Sequence, residues 1–289
     1  MAVEGSSDIL ARRLWTAVEP LHGIVYFAEE DAEAMRRLGL KGYYMGYFAG
    51  RLCPVGPLDA PAGHALSFAF APGRVARALP DAWTYASPEK VLAARLDAVS
   101  AVLARALPSA ALDDLVRLTQ VLENAAEGCT YEGRVLAAAW SGVARPDDPL
   151  ARLWLAATVL REHRGDGHVM ALAQHGLGGL DAGITHVAAG GATREQIRTT
   201  RGWSEEEWEA GVWRLRVREL VDAGGLLTAE GERVRRSVES ATDRLAAGPV
   251  ARLGVEGVKE AVSLAAPLSR HLMDTGVLPV PNPIGVPRV

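Results

Sequence analysis

"ATREQIRTTRGWSEEEWEAGVWRLRV", residues 192–217, decides how this chain folds. It reads as a short helix, a turn and a longer helix, followed by "GLLTAEG" (225–231) and a very long helical run. Strand-like alternation is scarce elsewhere, so the chain is expected to be mostly α, its helices separated by Gly and Pro punctuation. From Asp8 to Leu21 the apolar positions Leu10, Leu14, Trp15, Val18 and Leu21 recur at helical spacing, with Asp8 as a cap and Pro20 expected to end or kink the helix. Further helices are expected over 28–39, stopped by Gly39, over 40–51, and behind Asp59 in "APAGHALSFAF". Ser87 and Pro88 start a long amphipathic run, residues 109–128 form another, and "ARPDDP" (144–149) has the composition of a linker.

After that linker the chain begins again. "ARRLWTAVEPLHG" (11–23) and "LARLWLAATVLREHRG" (150–165) share an Arg-Leu-Trp start and the apolar run behind it, with Trp15 and Trp154 separated by 139 positions. "RLDAVSAVLARAL" (95–107) lies against "TDRLAAGPVARLG" (242–254), with Asp97 and Asp243 separated by 146. Two offsets this close point to a tandem duplication, with a first half over 1–148 and a second over 149–289.

Composition bounds the function classes. A chain of 289 residues, 49% hydrophobic and 23% charged, can bury one sizeable core or two modest ones. No run of about eighteen apolar residues occurs, and the first residues lack the order of a signal peptide, so the expected location is the cytoplasm with no membrane involvement. Cys53 and Cys129 fit no disulfide framework and no spaced zinc pattern. A net charge of −4 argues against a concentrated basic surface for nucleic acid. GxGxxG after a strand, GxxxxGK[ST], GxSxG and CxxC are all missing, which leaves nucleotide, hydrolase-elbow and thioredoxin-like chemistry without support, and no cofactor or metal is expected.

The order of elements over 192–246 resembles the winged-helix module of MarR-type regulators, and the whole chain resembles an actinobacterial group of MarR-like helix-turn-helix proteins. The resemblance implies that Thr193 caps the second helix of a helix-turn-helix, that Ser204 caps the recognition helix, and that Leu227, Thr228 and Gly231 follow the wing. It also implies a ligand pocket between dimerisation helices and winged helix. With the duplication, one chain supplies both protomers: a mostly α, tandem pseudo-dimeric winged-helix (MarR-like) architecture with small β-wings. The departure lies in the recognition helix, which opens on Glu205, Glu206, Glu207 and Glu209 with no basic residue before Arg214. Phosphates repel such a start, so DNA is disfavoured as a partner. The matching first-half helix has no Lys or Arg.

The remaining signal is "LREHRGDGHV", residues 160–169. On a continuous helix Arg161 and His168 share a face and His163 swings away, whereas Gly165 and Gly167 are expected to break or cap the helix and let the charges converge. Three chemistries compete. One is an ion-paired helix end joining the halves through Glu162 or Asp166 and Arg161 or Arg164. The second is an anion site in which Arg161 and Arg164 hold the ligand while His163 or His168, poised by Asp166 or Glu162, moves a proton. The third is a metal held by His163, Asp166 and His168, for which no spacing fixes two ligands on one face. Tyr43, Tyr47 and Arg51 at four-residue spacing, and His22 opposite Arg161 in the repeat, are further candidates for lining the pocket.

The favoured function is therefore a small-molecule-binding protein, an enzyme of specialised metabolism acting on a polar or anionic metabolite by elimination, cyclisation or hydrolysis. Its alternatives are a ligand-responsive transcription regulator and a scaffold that docks a protein partner.

Overall fold

The computed structural model describes residues 6–107, 112–280, 282, 284–286, 288 and 289. The start of the helix expected over 109–128, and the prolines at 281, 283 and 287 in the tail, lie outside the described residues.

Two helices form the centre. The helix α1 (Ser7–Gly23) runs through Pro20 and passes into a 3-10 turn at Ile24, so the expected stop comes one turn late. In the first half α2 (Glu29–Arg37), α3 (Gly42–Leu52), α4 (Ala60–Leu66), α5 (Pro72–Ala76) and α6 (Ala82–Tyr85) are short. They lead into α7 (Pro88–Ala106), α8 (Leu112–Ala126) and α9 (Val135–Ser141). Asp59 and Ser87 cap α4 and α7 as the sequence suggests, accepting from the amides of Ala62 and Lys90.

The second central helix is α10 (Pro149–Gln174), capped by Asp148, which accepts from Leu150 and Ala151. Its residues Leu153 to Leu160 are all buried, so the helix is apolar on every side there and is enclosed by others. Gly165 and Gly167 do not interrupt it, contrary to the expectation of a break. Gly167 serves close approach: a Cβ there would stand 2.7 Å from Arg134 Nη1. The Arg134 guanidinium crosses at that point to the carbonyls of His163 and Leu245.

Beyond α10 come α11 (Gly179–Ala188), α12 (Arg194–Arg201), α13 (Glu205–Val217), α14 (Ala229–Leu245) and α15 (Ala247–Asp274), the last kinked at Gly254. Between α13 and α14 the chain makes a single antiparallel bridge, Val221 to Leu227, and no longer strand occurs among the described residues. The packing is crossed. α15 lies on α1, α7 and α8 lie on α10, α1 meets α10, and α8 meets α15, while α14 lies mainly on α10 of its own half and also reaches α1. One core draws on both halves, from Leu10 to Leu272, and includes Phe48, Trp140 and Trp154. A second, smaller core between Ala171 and Ala241 holds Ile184, Ile197, Trp208, Leu215 and Val238. The cores thus do not divide at the linker before α10.

Candidate functional site

Because α10 is continuous, Arg161, Arg164, Gly165, His168 and Leu172 form one stripe along it. That stripe faces a cavity of about 530 Å³. Arg12, Trp15 and Glu19 of α1 form another wall, and α11, α12 and α14 close it with Thr185, His186, Ile197, Arg235, Val238 and Glu239. The cavity therefore lies between the central helices and the second core.

Two ionic networks frame it. In the first, Glu162 is fully buried (0% exposed) and takes two hydrogen bonds from Arg51, 3.0 and 2.9 Å, and one of 2.7 Å from Arg161. Burial alone would raise its pKa, but the two guanidiniums outweigh this and hold it well below the usual carboxylate range. Arg161 also reaches Glu19, whose other oxygen accepts from Trp15 Nε1. In the second network Asp243 of α14 joins Arg164 (2.8 Å) to Arg12 (2.8 Å), and Glu239 adds a contact of 2.6 Å to Arg12. The Arg164 guanidinium also lies over the Trp15 ring, 4.4 Å from its centroid.

His168 is the histidine of the stripe. The hydroxyl of Thr242 donates to Val238 O at 2.7 Å, so it must accept from His168 Nδ1 at 2.9 Å. Hydrogen bonding thereby assigns the proton to Nδ1 and leaves Nε2 as an acceptor. Burial lowers its pKa to about 4, with the nearby Arg164 acting in the same direction and Glu239 opposing.

The other expected site residues go elsewhere. His163 lies on the opposite side of α10, where Nε2 accepts from Thr130 N at 3.3 Å and Nδ1 is buried without a hydrogen-bond partner among the described residues. Burial and then Arg134 lower its pKa to about 4. Asp166 accepts from Ala137 N at 3.0 Å in the first turn of α9, and burial raises its pKa. The four expected acid/base groups thus do not converge: His168 alone lines the cavity, while Glu162 is sealed between arginines behind it. His163, Asp166 and His168 do not form a metal-binding group, and no other set of three or more His, Cys, Asp or Glu among the described residues does so.

His22 is not across the cavity from Arg161. It is buried against α10, bonded to Thr158 and Tyr26 at 2.9 Å each and stacked on Trp154. Burial holds its pKa well below normal. Tyr43 and Tyr47 share a face as their spacing implies, but they line a separate cavity of about 190 Å³ with Asp31 and Arg95. Arg51, at the end of that stripe, finds its partner in Glu162.

The second core carries the remaining feature. α12 and α13 are joined by the turn Gly202–Ser204, with Gly202 in the left-handed region at φ +83, and α11 braces both. A family model described as a helix-turn-helix family matches residues 11–279. The chain belongs to this helix-turn-helix family. No curated protein and no solved structure matches it.

In this helix-turn-helix protein Thr193 and Ser204 do cap α12 and α13, accepting from Gln196 N and Glu207 N. Three of the four glutamates at the start of α13 are engaged within the unit. Glu207 returns to Ser204 N at 2.8 Å, and Arg194 bridges Glu205 and Glu209. The exposed face farther along presents Trp213 (66% exposed), Arg214 and Val217 (64%). Arg216 and Arg218 donate to backbone carbonyls of residues 222, 223, 175 and 176, so those contacts do not neutralise their charge. The unit also docks on the first half. Trp203 Nε1 donates to Ala69 O at 3.2 Å, Ala71 N to Arg201 O at 2.9 Å, and Arg74 to Thr199 O at 2.7 Å.

Sequence reasoning missed Arg12, Trp15, Arg235 and Glu239 as cavity residues. The available signal was periodicity: Arg12, Trp15 and Glu19, like Val234, Arg235, Val238 and Glu239, repeat at helical spacing.

Proposed function

We propose that the protein is a ligand-responsive, DNA-binding regulator of the helix-turn-helix type. The observation that carries this is the position of the 530 Å³ cavity, whose walls are shared between the central helices and the elements α11, α12 and α14 of the helix-turn-helix unit. A molecule seated there touches both bodies, so its binding free energy depends on their relative placement, which is the requirement for coupling two sites. The volume falls in the range of small-molecule sites.

DNA binding draws support from the family and from the internal engagement of Glu205, Glu207 and Glu209, which leaves the α13 start less repulsive than its sequence suggests. The apolar Trp213 and Val217 suit contact with thymine methyl groups, and Arg214, Arg216 and Arg218 suit phosphates. The MarR-like, tandem pseudo-dimeric winged-helix reading, with halves at 1–148 and 149–289, is supported by the crossed packing, in which α7 and α8 of the first half cover α10 and α15 of the second covers α1. Arg161, Arg164 and His168 act in this scheme as ligand contacts. Turnover by an acid/base group has no such support, because His163, Asp166 and Glu162 are committed to structural bonds.

Selection from a pool of random duplexes by the full chain at moderate salt tests the proposal. Enrichment of one sequence motif is expected. Recovery of all sequences alike, at every salt concentration, overturns it.

A further inference from the structure

We infer that the cavity takes a small organic carboxylate with an apolar body, and that Arg235 is the residue that holds its carboxylate. The inference rests on the cavity being a ligand site, as proposed above, and deepens that reading.

The protein contains its own template for the interaction. α7 and α14 share part of a burial pattern when laid over one another 140 positions apart, a register that follows the Trp15–Trp154 separation of 139 and replaces the 146 expected from Asp97 and Asp243. Val91, Ala98, Val102, Leu103 and Ala106 then coincide with Gly231, Val238, Thr242, Asp243 and Ala246, all of them buried. In this register Arg95 coincides with Arg235. Arg95 is 1% exposed and is neutralised by Asp31, the third residue of α2, at 3.1 Å. The third residue of α11 is also an aspartate, Asp181, but its carboxylate is turned to Gly178 N (3.1 Å) and Arg214 (3.3 Å). Arg235 accordingly lines the larger cavity with no carboxylate within ion-pair distance among the described residues. In the first half the chain supplies the anion; in the second a ligand does.

Two further observations point the same way. Arg164 is 8% exposed, lines the same cavity, and has a buried Nε with no hydrogen-bond partner among the described residues. A buried donor left open costs free energy that an incoming acceptor recovers. The cavity's other wall charges are also already matched: Arg12, Arg161 and Arg164 pair with Glu239, Asp243, Glu19 and Glu162, whereas Arg235 faces it with no ion pair among the described residues. The rest of the wall, including Leu172, Leu177, Ile197, Val234 and Val238, is apolar and sets the character of the ligand body. A planar guanidinium matches a carboxylate through two parallel N–H bonds.

The test uses a charge pair of probes, 3-phenylpropanoate and its neutral amide, titrated into the full chain without DNA and followed by calorimetry. The acid is expected to bind at least about tenfold more tightly than the amide, and Arg235→Gln to remove that preference while leaving the unfolding midpoint unchanged. Equal binding of acid and amide, no binding of either, or a preference that survives Arg235→Gln overturns the inference. Because DNA is absent, the two proposals fail separately. Arg235-dependent binding without any enriched DNA motif leaves a carboxylate-binding protein that is no regulator. An enriched motif with no acid preference leaves a regulator with a different ligand.

Discussion

Arg51 and Glu162, separated by 111 positions in the chain, meet through two parallel hydrogen bonds of 3.0 and 2.9 Å in the interior. This pair ties α3 of the first half to α10 of the second and fixes the wall behind the cavity. Glu162 also neutralises Arg161, so its loss would strand the Arg51 guanidinium in the interior and leave Arg161 to Glu19 alone. Glu162→Ala is expected to cost about 3–5 kcal/mol in urea unfolding. A loss below about 1 kcal/mol would mean that water reaches the arginines and that the network is dispensable.

Histidine burial sets an acid limit on stability. His22, His163 and His168 all have folded-state pKa values below their normal 6.5, the latter two at about 4, chiefly through burial. The unfolded chain therefore binds more protons between pH 6.5 and 4, and the stability contributed by neutral histidines is present above 6.5 and lost as pH falls. Each such histidine contributes a slope of up to about 1.4 kcal/mol per pH unit in that window. Urea midpoints measured across it should fall with acidification, and His163→Gln should make the fall shallower. A midpoint that stays level down to pH 4 would count against the buried neutral state.

Asp166 has a local task that can be isolated. Its carboxylate accepts from Ala137 N at the start of α9, so Asp166→Ala should cost about 1 kcal/mol, the usual worth of a helix cap. Ligand affinity should be unchanged, since Asp166 is absent from the cavity wall. Calorimetry with the 3-phenylpropanoate probe separates the two effects, and lost binding with unchanged stability would return Asp166 to the site.

Glu206, like Glu207, makes no ion pair among the described residues, and unlike Glu207 it does not close the capping box. Replacing it by lysine puts a cation where phosphates would pass. Glu206→Lys should tighten DNA binding and steepen its dependence on log salt by about one unit, with only a small drop in the urea midpoint from placing a cation in the first turn of α13. An unaltered salt slope would place DNA away from α13.

Local chemistry made the helix-turn-helix legible in the sequence. Thr193, Ser204 and Asp59 cap helices through bonds spanning three residues, and such signals survive any tertiary arrangement. The charged stretch in α10 was harder. Gly165 and Gly167 suggested a break, yet the neighbours that pack around α10 keep it straight and use Gly167 to admit Arg134. The tyrosine stripe predicted its own face correctly but not the cavity it lines, because spacing says which residues share a side and not what lies opposite. Arg12 and Arg235 come to the site from other helices, and only the packing of α1 and α14 on α10 brings them to Arg161 and Arg164.

The most direct test of the central claim, that cavity occupancy and DNA engagement are linked, is to fill the cavity permanently. Ala182 lines it from α11, and Ala182→Trp would occupy the ligand's space with a side chain. Fluorescence anisotropy on the selected duplex should show DNA affinity weakened by at least about fivefold relative to the unsubstituted chain, with the urea midpoint retained. Identical affinity in a folded Ala182→Trp protein would contradict the link, leaving the cavity and the helix-turn-helix as independent features of the fold.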